Sequence, residues 1–446
     1  MPVSPARTAA FDILLRIERE NAYAAELLHG PRSAKLSALD YALATELVMG
    51  VLRWRSLLDQ QMSEASSQRL DKLDLEVLIA LRLGVYQMRY LERIPTRAAI
   101  HETVELVKRA RKRSAAPFVN AVLRKLQAAP PKLCAPTDGI QHATSASMLA
   151  KVSAHPLWLV ERWIREFGLK TTKAICIYDQ SIPKAVIRLP DPAAEQELLG
   201  EGIDLAAGKL LSRARRVLSG NVTRTKAFAE RRVVIQDEAS QLVALLTGRA
   251  SRLLDCCAAP GGKTAILAEQ NPQSAITAIE LHPHRARLLR RLVSAENVRV
   301  LTADARNLPV LAEFDRVLAD VPCSGTGTLA RNPDIKWRLR PEDLPDLQSR
   351  QIAILKSAMA RVALGGKLVY STCSLENEEN SDVVGKALIG NESFKLLDAR
   401  GELQRLQREG ELVLEDLDSI LDRKYLRIVP GMYESDGFFA AILERA

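Results

Sequence analysis

The sequence predicts an α/β protein: a doubly wound C-terminal domain preceded by an all-helical bundle and a small α+β domain. Three observations carry that reading. Apolar residues in the first 128 positions recur at i, i+3, i+4 and i+7, the spacing of helices with one buried face. After Val233, strand-sized apolar runs alternate with helical patterns, as in a parallel sheet covered by helices. Between the two, AAPPKLCAPTDG places Pro130, Pro131 and Pro136 where no helix can continue.

Taken in order, PARTAAFDILLRIERE, ALDYALATELVMGVLRWR, DLEVLIALRLGVYQMRYL and RAAIHETVELVKRARKR form the bundle, residues 1–130. HPLWLVERWIREFG then opens a domain over 147–232, with strands in KAVIRLP and RRVVIQD and a helix at AEQELLGEG. From 233 to 446, the strands are SRLLDCC, SAITAIE, VRVLTAD, FDRVLAD and GGKLVYS. The helices between them are TAILAEQ, RARLLRRLV and DLQSRQIAILKSAMARVAL.

Composition excludes several classes. Hydrophobic residues make up 47% and charged ones 26%, which fits a folded protein and not a disordered one. No apolar run approaches the roughly 18 residues of a membrane span, and the first 16 residues lack a signal-peptide layout, so a cytoplasmic location is expected. Six cysteines without a C-x-x-C pair are expected to be reduced. Residues 1–232 carry about +12 of the net +9 and residues 233–446 about −3, so the front of the chain is the part expected to meet a polyanion.

The first chemical motif is LLDCCAAPGGKT, residues 253–264. A strand breaks into small residues and glycines before a helix starts at Lys263, which leaves backbone N–H groups facing an anion. The second strand ends in Glu280, where doubly wound folds grip ribose hydroxyls. The third ends at Asp304, the fourth at Asp320 with Cys323 just beyond, and the fifth at Cys373. All five groups therefore converge outside the carboxyl ends of the strands. The turn matches neither G-x-x-x-x-G-K-[ST] nor G-x-G-x-x-G, and an adenosine cofactor bearing a carboxylate suits it better than a nucleoside triphosphate or a nicotinamide.

DCCAAPGGKT, ADVPCSGTG, RNPDIKWR and YSTCSLENEEN, in this order, closely resemble the S-adenosylmethionine-dependent RNA cytosine-5 methyltransferases. The front end, notably DYALATELVMGVLRWR, resembles the NusB-like RNA-binding domain of the RsmB/Sun (Fmu) ribosomal RNA branch. The resemblance implies a Rossmann-like methyltransferase domain that acts on a cytosine of small-subunit (16S) ribosomal RNA. A monomer is expected, and no metal, because Cys256, Cys257, Cys323 and Cys373 lack the paired spacing of a structural zinc site. The resemblance implies a cofactor site at Cys257, Ala258, Ala259, Pro260, Gly261, Gly262, Lys263, Glu280, Arg285, Asp304 and Asp320. It also implies Cys373 as nucleophile, Cys323 as its helper and Asp320 as the acid at N3. Glu280 stands where many members carry Asp.

That chemistry explains two thiols. Carbon 5 of cytosine is too poor a nucleophile to attack a methyl sulfonium until a thiolate has added at carbon 6. A free thiol titrates near 8.5, so the attacking cysteine needs a cation or helix end close by, and Lys263 is the candidate in the motif. Cys134, Cys176 and Cys256 read as small buried hydrophobes. His282 and His284 read as decorating a helix start, and Glu376, Glu378 and Glu379 as an exposed, helix-starting turn. KRARKR, Lys108 to Arg113, is either a solvated helix face or a phosphate contact, extended by Arg213, Arg215, Arg216, Arg224, Lys226, Arg231 and Arg232. Arg331, Asn332, Lys336 and Trp337 are expected to meet the target base, with a core role the alternative for Trp337. A non-catalytic ribosome-assembly factor, or a methyltransferase acting on another RNA such as tRNA, is the alternative function. A DNA cytosine-5 methyltransferase fits less well, because that class attacks with the Pro-Cys thiol and lacks the T-C-S cysteine.

Overall fold

The computed structural model describes residues 3–128, 136–293, 295–310 and 312–446. It divides into two compact units, Met1–Ser181 with Leu329–Arg338, and Ile182–Thr328 with Leu339–Ala446.

The first unit is helical. Its bundle consists of α1 (Pro5–Glu20), α2 (Ala24–Leu28), α3 (Ala38–Ala65), α4 (Leu75–Tyr90), α5 (Thr96–Arg109) and α6 (Ala116–Ala128). Pro5 at the first helical position and Ser37, whose hydroxyl accepts from Asp40 N at 3.1 Å, set two of the starts. Leu14, Leu47, Leu58, Leu83, Leu106 and Leu123 meet in one core. Three more helices follow: the short α7 (Pro136–Gln141) and α8 (Ala146–Val152), and the long α9 (Leu157–Asp179), interrupted at Gly168, where φ is +75°. Pro130, Pro131 and Cys134 of the expected linker lie outside the described residues, and Pro136 opens α7, a position proline tolerates.

The second unit holds two sheets. The smaller is antiparallel, in the order β2-β3-β1-β4, and consists of β1 (Val186–Arg188), β2 (Asp204–Ala207), β3 (Ala214–Ser219) and β4 (Val234–Ile235). Its helices α10 (Ala193–Gly200) and α11 (Lys226–Ala229) close a small core around Ile187, Leu198 and Ala227. The segment 147–181 therefore groups with the bundle and 182–232 with the large sheet, which differs from the three-part division read in the sequence. Local contacts explain the first shift: Gln180 Nε2 donates to Arg53 O at 3.2 Å, and Ala154 joins the bundle core.

The large sheet runs β11-β12-β13-β9-β8-β5-β6-β7. Its helix α12 (Glu238–Leu246) precedes β5 (Arg252–Asp255), α13 (Gly262–Gln270), β6 (Ala275–Glu280), α14 (Pro283–Leu292), β7 (Val298–Thr302) and β8 (Phe314–Asp320). Then come α15 (Ile335–Arg338, in the first unit), α16 (Leu344–Met359), β9 (Val362–Thr372) and α17 (Ser381–Leu388). The chain ends with β10 (Phe394–Leu397), α18 (Ala399–Arg408), β11 (Leu421–Asp422), β12 (Tyr425–Ile428) and β13 (Phe438–Arg445). β5 pairs in parallel with both β6 and β8, and β8 with β9, so the strand order reverses beside β5 and opens a crevice at the carboxyl ends. β13 pairs antiparallel with β9, which makes the sheet mixed at that edge. β10 and β12 share the other side of β13.

Candidate active site

β5 ends in Asp255, which is buried and accepts from Thr264 Oγ1 at 2.7 Å and from Cys257 N at 3.4 Å. Burial pushes its carboxyl up to about 6, against the hydrogen bond from Thr264. A carboxyl raised above its unfolded value stabilises the fold fully below pH ~4, and that contribution is lost as the pH climbs through 6. Asp255→Asn has no charge to bury. We expect it to exceed wild-type stability at pH 8 by up to about 3 kcal/mol and to lose that advantage near pH 4, as read by urea denaturation. Equal stability at pH 8 contradicts the assignment.

The turn after β5 is built on glycine. Gly261 has φ +121°, and a Cβ there would lie 2.8 Å from Leu289 Cδ1 of α14 and from Cγ2 of Val293, which follows that helix. The Ala259–Pro260 peptide is cis, Ala258 N donates to Ile279 O at 2.8 Å, and Arg285 Nη2 on α14 donates to Ala259 O at 3.2 Å. α13 then starts at Gly262, with the unpaired N–H groups of its first turn at the mouth of the crevice. Burial pushes the Cys256 and Cys257 thiols well above their ordinary values, so neither is a ready nucleophile.

The acids sit at neighbouring strand ends. Glu280 is buried, and its Oε1 accepts from His282 N at 2.8 Å, which leaves the second oxygen without a partner among the described residues. Asp304 caps the turn after β7 and is chelated by Arg306, whose guanidinium holds the carboxyl below its usual range. Asp320 accepts from Ser371 Oγ at 2.7 Å and pairs with Lys263 Nζ at 2.8 Å. Lys263, lying over the Phe438 ring at 5.0 Å, is thus engaged with Asp320, not with a thiol as the motif suggested.

Cys323 follows β8 and Cys373 follows β9. Their sulfurs are 3.3 Å apart and not bonded as a disulfide. The Cys323 thiol is pushed well above its ordinary value, first by its hydrogen bond with Cys373, then by burial and the negative charges nearby. Gly327 closes the turn: its N–H donates to Cys373 O at 2.8 Å, and its carbonyl accepts from Gly437 N at 2.7 Å. A Cβ on Gly327 would lie 2.5 Å from Gly437 O and 2.8 Å from Cys373 O, both backbone atoms. Gly327→Ala is expected to cost about 3 kcal/mol, measured by chemical denaturation. A loss under about 0.5 kcal/mol shows that the turn relaxes freely.

Several expectations change. Glu376 and Glu379 are buried, not exposed: Glu379 accepts from Ser324 N, Ser324 Oγ, Ser374 Oγ and Gln351 Nε2. Lys336 and Trp337 are anchors of the helical unit, where Lys336 Nζ donates to Arg53 O at 2.9 Å and Trp337 Nε1 to Leu52 O at 2.5 Å. Arg53 Nη2 returns a bond to Ala330 O at 2.9 Å, so RNPDIKWR is held by helix α3. The basic residues are largely paired: Lys108 with Glu105, Arg109 with Asp12, Lys112 with Asp74, Arg215 with Glu195 and Arg232 with Glu197. KRARKR also spans a helix end, because α5 stops at Arg109 and Arg111 has φ +62°; cations are favoured there by the helix dipole. His282 does start α14 as its N-cap residue. The structure adds Asp255, Thr264, Gln351 and Glu379 to the site, of which Asp255 begins DCCAAPGGKT and Glu379 lies in SLENEEN. Among the described residues, no cluster of His, Cys, Asp and Glu has metal-binding geometry, and no helix is long and apolar enough to cross a membrane.

The family model of the 16S rRNA methyltransferase RsmB/F matches residues 243–444, and that of the NusB family matches residues 4–128. The probable ribosomal RNA small subunit methyltransferase B of Bacillus subtilis (strain 168) is 34% identical over 461 residues, covering 100% of both chains. Its Pseudomonas putida counterpart, named ribosomal RNA small subunit methyltransferase B, is 32% identical and covers 85% of this chain and 88% of that one. Among solved structures, PH0851 matches over 100% of both chains with a TM-score of 0.79 at 22% identity. NSun6 from Pyrococcus horikoshii with SFG matches 66% of this chain and 99% of its own, with a TM-score of 0.56 at 20% identity. These two likenesses speak for the fold. Two cysteines in contact beyond the ends of β8 and β9, a glycine turn before α13 and full-length relatives above 30% identity lead to one conclusion: the chain belongs to the RsmB/F family of S-adenosylmethionine-dependent 16S rRNA methyltransferases, with a NusB-family bundle at its front.

Proposed function

We propose that the protein methylates carbon 5 of a cytosine in small-subunit ribosomal RNA through a covalent bond between Cys373 and the base. The observation that carries this reading is the pair of thiols, 3.3 Å apart at the ends of adjacent parallel strands β8 and β9. A single cysteine suffices for packing; two sulfurs in contact at the mouth of the crevice suit a reaction that must both form and break a carbon–sulfur bond.

The cofactor site fits the glycine turn and the acids. The first-turn N–H groups of α13 suit the carboxylate of the amino-acid part. The open oxygen of Glu280 suits a ribose hydroxyl, and the longer arm replacing Asp keeps that reach. Cys257 through Lys263, Arg285, Asp304 and Asp320 complete the proposed lining, Arg285 by bracing Ala259. S-adenosylmethionine supplies the electrophilic methyl group.

Cys373 donates a sulfur lone pair to carbon 6, and the C5–C6 double-bond pair moves to carbon 5, which takes the methyl group. Asp320, held by Lys263 and Ser371, takes up the Cys373 thiol proton as the C–S bond forms and shares it with N3 of the ring, and the proton returns by the same route on release. For release, the carbon-5 proton is lost to solvent, its bonding pair re-forms the double bond, and the C6–S pair departs on Cys373. Cys323, whose raised thiol stays protonated, donates its S–H toward the departing sulfur. The target base must lie in a loop or be extruded from its stem to reach the thiols.

Methyl transfer from labelled cofactor to small-subunit ribosomal RNA, followed by nucleoside analysis, tests the reading. The expected product is 5-methylcytidine alone; a methyl group on an exocyclic nitrogen or on ribose overturns it.

A further inference from the structure

Glu379 connects the two cysteines and has no part in the steps above. It is fully buried in the short turn Asn377–Glu379, beyond Cys373. Its Oε1 accepts from Ser324 N at 2.8 Å and Gln351 Nε2 at 2.8 Å. Its Oε2 accepts from the hydroxyls of Ser324 and Ser374, which are themselves 3.0 Å apart. Ser324 directly follows Cys323, and Ser374 directly follows Cys373. Gln351 of α16 also donates to Pro322 O at 3.0 Å, so Cys323 is gripped on both sides by one network. The backbone carbonyl of Glu379 accepts from Tyr370 OH at 2.6 Å, which ties the turn back to β9. A buried carboxylate with four donors is strongly held, and removing it leaves those donors unmatched.

We infer that Glu379 is a positioning residue for both thiols: through Ser324 and Ser374 it holds Cys323 against Cys373, so that one attacks carbon 6 while the other stays in place for release. The inference rests on the covalent reading above. Nearby negative charge adds an electrostatic consequence, since Glu379 is among the charges that keep Cys323 protonated. The titratable groups acting on Cys323 are Cys373, Glu379, Asp320 and Tyr370, and of these Glu379 alone also accepts from the backbone beside Cys323, at Ser324 N, and from the Ser374 hydroxyl beside Cys373.

Full-length Glu379→Gln and Glu379→Asp are compared with wild type for kcat, KM for RNA and cofactor, and the pH profile of kcat, with Cys373→Ala as a parallel control. For Glu379→Gln, kcat should fall about 100-fold, the penalty for roughly 1 Å of misplacement, with both KM values within about twofold. Its alkaline limb should move to lower pH, because removing an anion makes the Cys323 thiol easier to deprotonate. Glu379→Asp restores the charge, and its limb should return toward the wild-type position. A Glu379→Gln enzyme with wild-type kcat and pH profile overturns the inference. Should that variant not fold, Ser374→Ala removes one of the four donors and must lower kcat at least about tenfold, and an unchanged kcat there overturns the inference equally. If Cys373→Ala also transfers methyl groups normally, it is the covalent reading that has failed.

Discussion

Cys373→Ala is expected to lower methyl transfer at least about 10⁴-fold while leaving cofactor affinity and stability nearly unchanged. The thiol is half-buried at a turn, and its deletion removes one sulfur without opening the core. What is lost is the addition at carbon 6, and without it carbon 5 has no electron pair to offer the methyl group. Among the described residues near the crevice no other thiol stands ready in its place, because Cys323, Cys256 and Cys257 all have their pKa values raised. Labelled-methyl transfer under single-turnover conditions measures the effect. A near-normal rate removes Cys373 from the role of nucleophile.

Cys323→Ala gives the opposite phenotype. Addition and methylation proceed, but the C6–S bond breaks slowly, so the enzyme stops after one turnover bound to its RNA. About one equivalent of denaturant-stable protein–RNA adduct per enzyme is expected, with multiple-turnover rates down at least about 100-fold. Gel analysis of labelled RNA reads it directly. If Cys323→Ala is inert and Cys373→Ala accumulates the adduct, the two sulfurs have exchanged jobs. Contact at 3.3 Å permits either direction of proton sharing, so which variant accumulates the adduct decides between the two sulfurs.

Much of this site was legible in the chain. The strand ends carry their chemistry locally: Glu280 closes an alternating run, Cys323 follows FDRVLADVP, and Cys373 follows GGKLVYST. A buried parallel strand is a short apolar run, and whatever polar residue ends it lies at the carboxyl edge of the sheet. The antiparallel edge was not legible in the same way. β13, FFAAILER, is as apolar as a parallel strand, and only its pairing with β9 reveals its direction. Lys336 and Trp337 misled for a related reason. In RNPDIKWR they look like solvent-facing groups of a loop, but the carbonyls of Leu52 and Arg53, nearly 300 positions away, accept their protons and draw them into a helical core.

By itself, then, the sequence determined the helical front, the doubly wound core, the glycine turn and the place of both thiols just beyond strand ends, because each depends on periodicity or on residue order within a few positions. Tertiary structure decided that two cysteines 50 residues apart touch, that Lys263 serves Asp320, and that Glu379 is a buried clasp and not a solvated acid. The physical reason is that a polar side chain in a turn is buried only when donors converge on it. Those of Glu379 come from Ser374 in its own turn and from Ser324 and Gln351, two distant segments that no local pattern connects to it.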